Sequence, residues 1–187
     1  MDYGKHGTRL FDTTGSGTSA QSFELDLPDT TGNFSGIFVQ ISMKVNTDGA
    51  RPQVKFVDPS GSLINLHYRV RNSGTNSTLM YQRTDVEQAM GLTYFTNGND
   101  NSTTFETASM FSGFMFITYQ KNTSAPISNI FGSWQATYGT TVANYHLADG
   151  TFYIPENEEI AKIRFDASSG TIKGRFRGFG ILGNQAT

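Results

Sequence analysis

"GTIKGRFRGFGIL", residues 170–182, sets three cations and four glycines among apolar residues near the end of the sequence. Read as a β-strand, it puts Ile172, Gly174, Phe176, Gly178 and Gly180 on one side and Lys173, Arg175, Arg177, Phe179 and Ile181 on the other. A phosphate cradle needs glycines in a loop that opens a helix, so that backbone N–H groups converge on the anion; these glycines alternate along an extended chain. The odd-numbered face changes from three cations to Phe179 and Ile181, so the strand runs from a wet zone into a covered one. Gly178 and Gly180 leave the other face bare, and glycine inside a strand marks a bulge or a close approach by another segment.

The same period of two recurs upstream. "SFELDL" (22–27) aligns Phe23, Leu25 and Leu27, and "GIFVQISMKV" (36–45) aligns Ile37, Val39, Ile41, Met43 and Val45. "PQVKFV" (52–57) and "SLINLHYRV" (62–70) flank "DPSG" (58–61), where Pro59 presets a turn, so a hairpin is expected. "MFSGFMFITY" (110–119) is apolar on both faces, which predicts a central strand covered above and below. "GSWQATY", "GTFYI" and "EIAKIRF" continue the series. One stretch argues for a short helix: in "TDVEQAMG" (84–91), Thr84 and Glu87 have capping-box spacing and Gly91 can close the end. Short strands joined by Gly, Asn and Pro turns predict an all-β antiparallel sandwich or jelly roll.

A chain of 187 residues, 36% hydrophobic and 13% aromatic, can bury one ordinary core. Residues 1–20 are rich in Gly, Ser and Thr, with Tyr3, Leu10 and Phe11 as the bulky anchors; they are read as a flexible N-terminal arm, and 21–187 as the single domain. The formal net charge of −2 gives no global field toward nucleic acid or an acidic membrane, and no run approaches the roughly 20 apolar residues of a membrane helix. No nucleic-acid or membrane partner is therefore expected, and synthesis in a cytoplasm is. With no cysteine, disulfides, thiolate-bound zinc and a cysteine nucleophile are excluded.

No catalytic constellation emerges. In "NGNDNSTTFE" (97–106) oxygen ligands alternate at 97, 99 and 101, but Ser102 stands where a calcium loop turns on Gly and Ala108 where it needs a bidentate Glu. "ENEE" (156–159) reads as a charged turn that keeps a strand edge from pairing and offers partners to the cations of 173–177. His6, His67 and His146 lie far apart and outside any metal or nucleophile motif. No enzyme, no metal and no cofactor is expected.

"EEIAKIRFDASSGTIKGRFRGFGIL" (158–182) resembles the C-terminal hairpin of jelly-roll virion proteins of tailed bacteriophages, with the pattern I-x-x-I-x-F-x-x-x-S-G-N-I-x-x-G-x-x-x-L-Y-G-I. The matching positions are Ile160, Ile163, Phe165, Ser169, Gly170, Ile172, Gly174, Phe179, Gly180 and Ile181; Thr171, Gly178 and Phe179 replace the usual Asn, Leu and Tyr, and one residue fewer separates Ile172 from Gly174. The resemblance implies a homotrimeric domain on the virion exterior. Because the strand pattern begins about 20 residues into the chain, a capsid decoration or cement protein on the head exterior is expected first. Its arm, through Tyr3, Leu10 and Phe11, would contact the major capsid protein, while Phe176, Gly178, Phe179, Gly180 and Ile181 would serve trimer or core packing. The alternative is a tail-fibre or spike knob that binds a host glycan through aromatics such as Tyr94, Trp134 or Tyr138; an enzyme on surface polysaccharide comes third.

Overall fold

The computed structural model describes residues 8–14, 22–27, 34–46, 50–74, 77–92, 110–122, 125–141, 144–154 and 159–182, and these form two antiparallel sheets with no helix. In chain order the strands are β1 (Thr8–Thr14), β2 (Ser22–Asp26), β3 (Phe34–Val45), β4 (Pro52–Val57), β5 (Leu66–Gly74), β6 (Ser77–Glu87), β7 (Met90–Gly91), β8 (Met110–Asn122), β9 (Ala125–Thr141), β10 (Asn144–Ile154), β11 (Lys162–Ala167) and β12 (Ile172–Leu182). The larger sheet runs β1-β12-β3-β8-β9-β10-β5-β6 and the smaller β2-β11-β4-β7.

The alternation read from the sequence sets which residues meet between the layers. Ile37, Val39, Ile41 and Met43 of β3 are buried, as are Leu25, Val54, Phe56, Ile163 and Phe165 of the smaller sheet. Aromatic pairs bridge the layers: Phe165 stacks on Phe176 with centroids 4.3 Å apart, and Phe56 lies 5.0 Å from Phe152. Each such pair adds about 0.5–1.5 kcal/mol to the burial of its area.

Two of the largest core rings rest on glycines. Phe152 is the register partner of Gly132, and Trp134 of Gly150. A Cβ at Gly132 would overlap Cε1 and Cζ of Phe152, and one at Gly150 would overlap the Trp134 ring. Cross-strand neighbours on β9 and β10 thus alternate ring over glycine, which lets bulky side chains lie flat against the sheet.

The turn at 58–61 forms as expected: Gly61 N–H donates to the Asp58 carbonyl at 3.0 Å, and Asp58 Oδ1 accepts from Ser62 N–H at 2.8 Å and Ser60 Oγ at 2.7 Å. It does not open a simple hairpin. After the Val57–Leu63 bridge and the bond from Ile64 N–H to the Phe56 carbonyl, the chain leaves the smaller sheet and enters the larger as β5. The C-terminal segment behaves likewise, because β11 and β12 belong to different sheets. Their crossover is pinned from both sides: Ser168 exchanges bonds of 2.9 Å with the Arg51 backbone, and Asn46 donates to the Thr171 carbonyl and hydroxyl, each at 2.9 Å. Gly170, at φ 75°, makes the bend that an L side chain resists.

Three further expectations are corrected. Residues 84–91 are not helical, since Thr84 pairs with Tyr68 and Glu87 with Leu66 along β6 before a bend leads into β7; cross-strand pairing with β5 overrides the capping-box spacing. Residues 8–14 of the expected arm form β1, an edge strand paired along β12 from Thr8–Gly180 to Thr14–Arg175, with a bulge at Leu10. Strand β8 is central in its sheet but is not covered on both sides: Phe111, Met115 and Ile117 are buried, whereas Phe114 is 42% exposed.

Candidate functional site

Among the described residues no group of three or more His, Cys, Asp or Glu side chains could hold a metal ion. His67 stands on the outer face of β5, its ring 6.0 Å from that of Tyr153, and Glu159 is exposed ahead of the buried Ile160. The loop at 97–106, Glu156, Glu158, His6, Tyr3 and Tyr94 lie outside the described residues.

The residues assigned to trimer or core packing divide by face. Phe176 is buried between Phe165 and Phe23, with the Phe23 ring 5.4 Å away, and Gly178 and Gly180 are buried on the same inner side. Phe179 and Ile181 point outward and are half-buried, Phe179 lying 6.4 Å from Phe38. Leu10 and Phe11 are placed in β1, opposite this part of β12. Trp134, a candidate sugar platform, is 2% exposed and donates from Nε1 to the Leu92 carbonyl at 3.2 Å, so it belongs to the core.

The candidate feature that the structure assembles is the outer face of the larger sheet, whose register aligns three neighbouring rows across β12, β3, β8, β9, β10 and β5. One row is Arg177, Gln40, Phe114, Gln135, Asp149 and Arg71; the next is Phe179, Phe38, Phe116, Ser133, Thr151 and Arg69. The third ends in Thr118, Phe131, Tyr153 and His67. Phe38 stacks on Phe114 at 5.7 Å and Phe131 on Tyr153 at 5.1 Å, and Phe131 is 46% exposed. Strands lie roughly 4.8 Å apart, so a row over six strands is about 24 Å long. The sequence signal was present in F-x-F of β8 and in Phe131 beside Gly132, but which apolar side meets the core is decided by long-range pairing.

Charge is divided between the two outer faces. On the smaller sheet it is paired: Arg164 and Lys162 both bond Glu24, Lys162 also lies 3.5 Å from Asp26, and Lys55 meets Asp166. The hydrogen bond from Arg164 is the main cause that holds the Glu24 carboxyl below its usual range, and the bond to Glu24 raises Lys162. Asp166 is nearly buried, and desolvation raises its carboxyl in spite of the opposing pull of Lys55. On the larger sheet Lys44, Arg69, Arg71, Lys173, Arg175 and Arg177 turn outward; Arg71 Nε bonds Asp149 at 2.9 Å, and Asp12 of β1 is the register partner of Arg177. Lys44 and Lys173 stand directly opposite each other in the register, an arrangement that like charges disfavour.

In comparisons with protein families, with curated proteins and with solved structures, nothing matches the chain.

Proposed function

We propose that the chain is a structural protein of a tailed-phage particle with a jelly-roll domain, and that it decorates the head exterior as a trimer that stabilises the shell. The observation that carries this reading is the strand order. Setting aside β5–β6 and β9–β10 and numbering the remaining eight strands along the chain, the sheets read 1-8-3-6 and 2-7-4-5, the order produced by two successive Greek keys in a jelly roll. On this reading β1 is the first jelly-roll strand, β11 and β12 are the last two, and the two remaining hairpins are insertions that widen one sheet. The similarity of residues 158–182 to phage virion proteins agrees with it, since that segment supplies the closing pair.

Capsid contact is assigned to Tyr3, Leu10 and Phe11, the last two on the edge strand β1, and trimer contact to the outward Phe179 and Ile181. A partner that binds only the assembled shell stabilises it by mass action, without covalent chemistry. The test is to add purified protein to heads that lack it: binding and greater resistance to heat are expected, and failure to bind any head defeats the proposal. Sedimentation of the free protein tests the trimer. The second reading, a glycan-binding knob, is favoured by the exposed Phe114 and Phe131, which the fold leaves in water.

A further inference from the structure

We infer that the outer face of the larger sheet is a docking surface for an acidic polysaccharide. The inference rests on the second reading above and deepens it by naming the surface and the class of glycan; binding to heads tests the first reading separately. Its first support is charge complementarity. The chain as a whole is slightly acidic, yet the strands of this sheet hold nine Lys or Arg and four Asp or Glu residues. The outward cations named above occupy two flanks: Lys173, Arg175, Arg177 and Lys44 on β12 and β3, and Arg69 and Arg71 on β5. An anionic partner relieves the Lys44–Lys173 opposition that the sheet otherwise carries.

The second support is what lies between the flanks. Phe114 and Phe131 are exposed on two adjacent central strands, each beside a second ring, Phe38 and Tyr153, and Ser112, Ser133, Gln135, Thr137 and Thr151 surround them with hydroxyl and amide groups. A sugar ring has an apolar C–H face that stacks on such rings and an equatorial rim of hydroxyls that bonds to such side chains. Its carboxylate or sulfate substituents are intermittent, as are the flanking cations. A single-stranded nucleic acid is held by a positively charged groove that tracks its backbone; here the middle of the path is neutral, so the acidic glycan is the better fit.

The probes are alginate, hyaluronan and heparin oligosaccharides, with dextran as the neutral control and a thymidine oligonucleotide as the nucleic-acid control, measured by calorimetry on the full chain. Wild-type protein is expected to bind at least one acidic glycan, more tightly than dextran or the oligonucleotide. Binding should weaken with added salt, because exposed charges are screened over about 10 Å at 0.1 M. Phe114→Ser and Phe131→Ser should each weaken binding about tenfold, the scale of one lost ring contact, and Arg69→Gln should flatten the salt dependence. All three sites are exposed, and unchanged melting curves establish that the variants fold. The inference is overturned if no acidic glycan binds, if dextran binds equally, if the oligonucleotide binds more tightly, or if the folded variants bind like the wild type.

Discussion

Gly132→Ala should be among the most damaging single-methyl additions available to this fold. Gly132 faces inward on β9 beneath Phe152, whose ring is 3% exposed and held on its other side by Phe56. The added Cβ overlaps Cε1 and Cζ of Phe152 and comes within 2.8 Å of the Phe116 carbonyl oxygen. Ring and backbone both obstruct it, and Phe56 prevents the ring from swinging aside, so the cost falls at the upper end of overpacking, about 3 kcal/mol. Phe152→Leu alone removes the two obstructing ring atoms and leaves a partial cavity, at a cost of about 1–2 kcal/mol. In the double variant the methyl takes up space that the ring has vacated. Its loss should therefore be smaller than the sum of the singles by about 1–2 kcal/mol, the residue being set by the Phe116 carbonyl. Urea unfolding followed by the fluorescence of Trp134, the single tryptophan, reads all four proteins, and their m-values should agree. A loss below about 0.5 kcal/mol for Gly132→Ala, or additivity within that margin, would refute the ring-over-glycine packing.

Two further predictions concern ionisable groups. Lys55→Met leaves the nearly buried Asp166 without its cation and should cost about 2 kcal/mol at neutral pH, less than a fully buried pair because the Lys55 side chain is 21% exposed. Desolvation raises Asp166 in the fold, so its ionisation opposes folding above the usual carboxylate range; the deficit of Lys55→Met should shrink as the pH falls and Asp166 takes up a proton, and chemical denaturation at several pH values reads this. Asp58→Ala removes the acceptor for Ser60 Oγ and Ser62 N–H, whose bonds, that of Ser60 first, hold the Asp58 carboxyl below its usual range. The melting temperature should drop at neutral pH, and the gap from wild type should close as acid protonates Asp58 through its lowered range.

Local pattern carried much of the fold. The alternation in 36–45, 52–57 and 62–70 identified β3, β4 and β5 and their inward residues, because half-burial leaves a period of two in any strand. What local pattern does not contain is the sheet to which a strand belongs. A turn followed by a strand reads the same whether the chain doubles back within one sheet or crosses to the facing one, so 58–61 and 168–171 both looked like hairpins. The crossing at 168–171 depends on Arg51 and Asn46, more than a hundred residues away. Residues 84–91 misled for a related reason: two residues at capping distance resemble a helix start, but they lack the apolar stripe that would give a helix something to bury. The candidate face was hidden because its parts come from six strands spread over 38–181, each contributing only a few residues.

The outward phenylalanines are not demanded by the sheet that carries them. At neighbouring outward positions of β8 and β9 stand Ser112, Ser133, Gln135 and Thr137, and the strands pair through these residues as regularly as through Phe114 and Phe131. Side chains turned to water gain little from folding, so on the proposal of a glycan surface the rings at 114 and 131 serve the ligand and not the core. In the larger sheet β8 pairs with β9, β9 with β10, and β10 with β5 of the β5–β6 hairpin. Two hairpins from distant points of the chain, β5–β6 and β9–β10, thus lie side by side in one sheet and share its outer surface. On the proposal of a glycan surface, stability and recognition are separable: the inner rings decide whether the sandwich forms, and the outer rings decide what it meets.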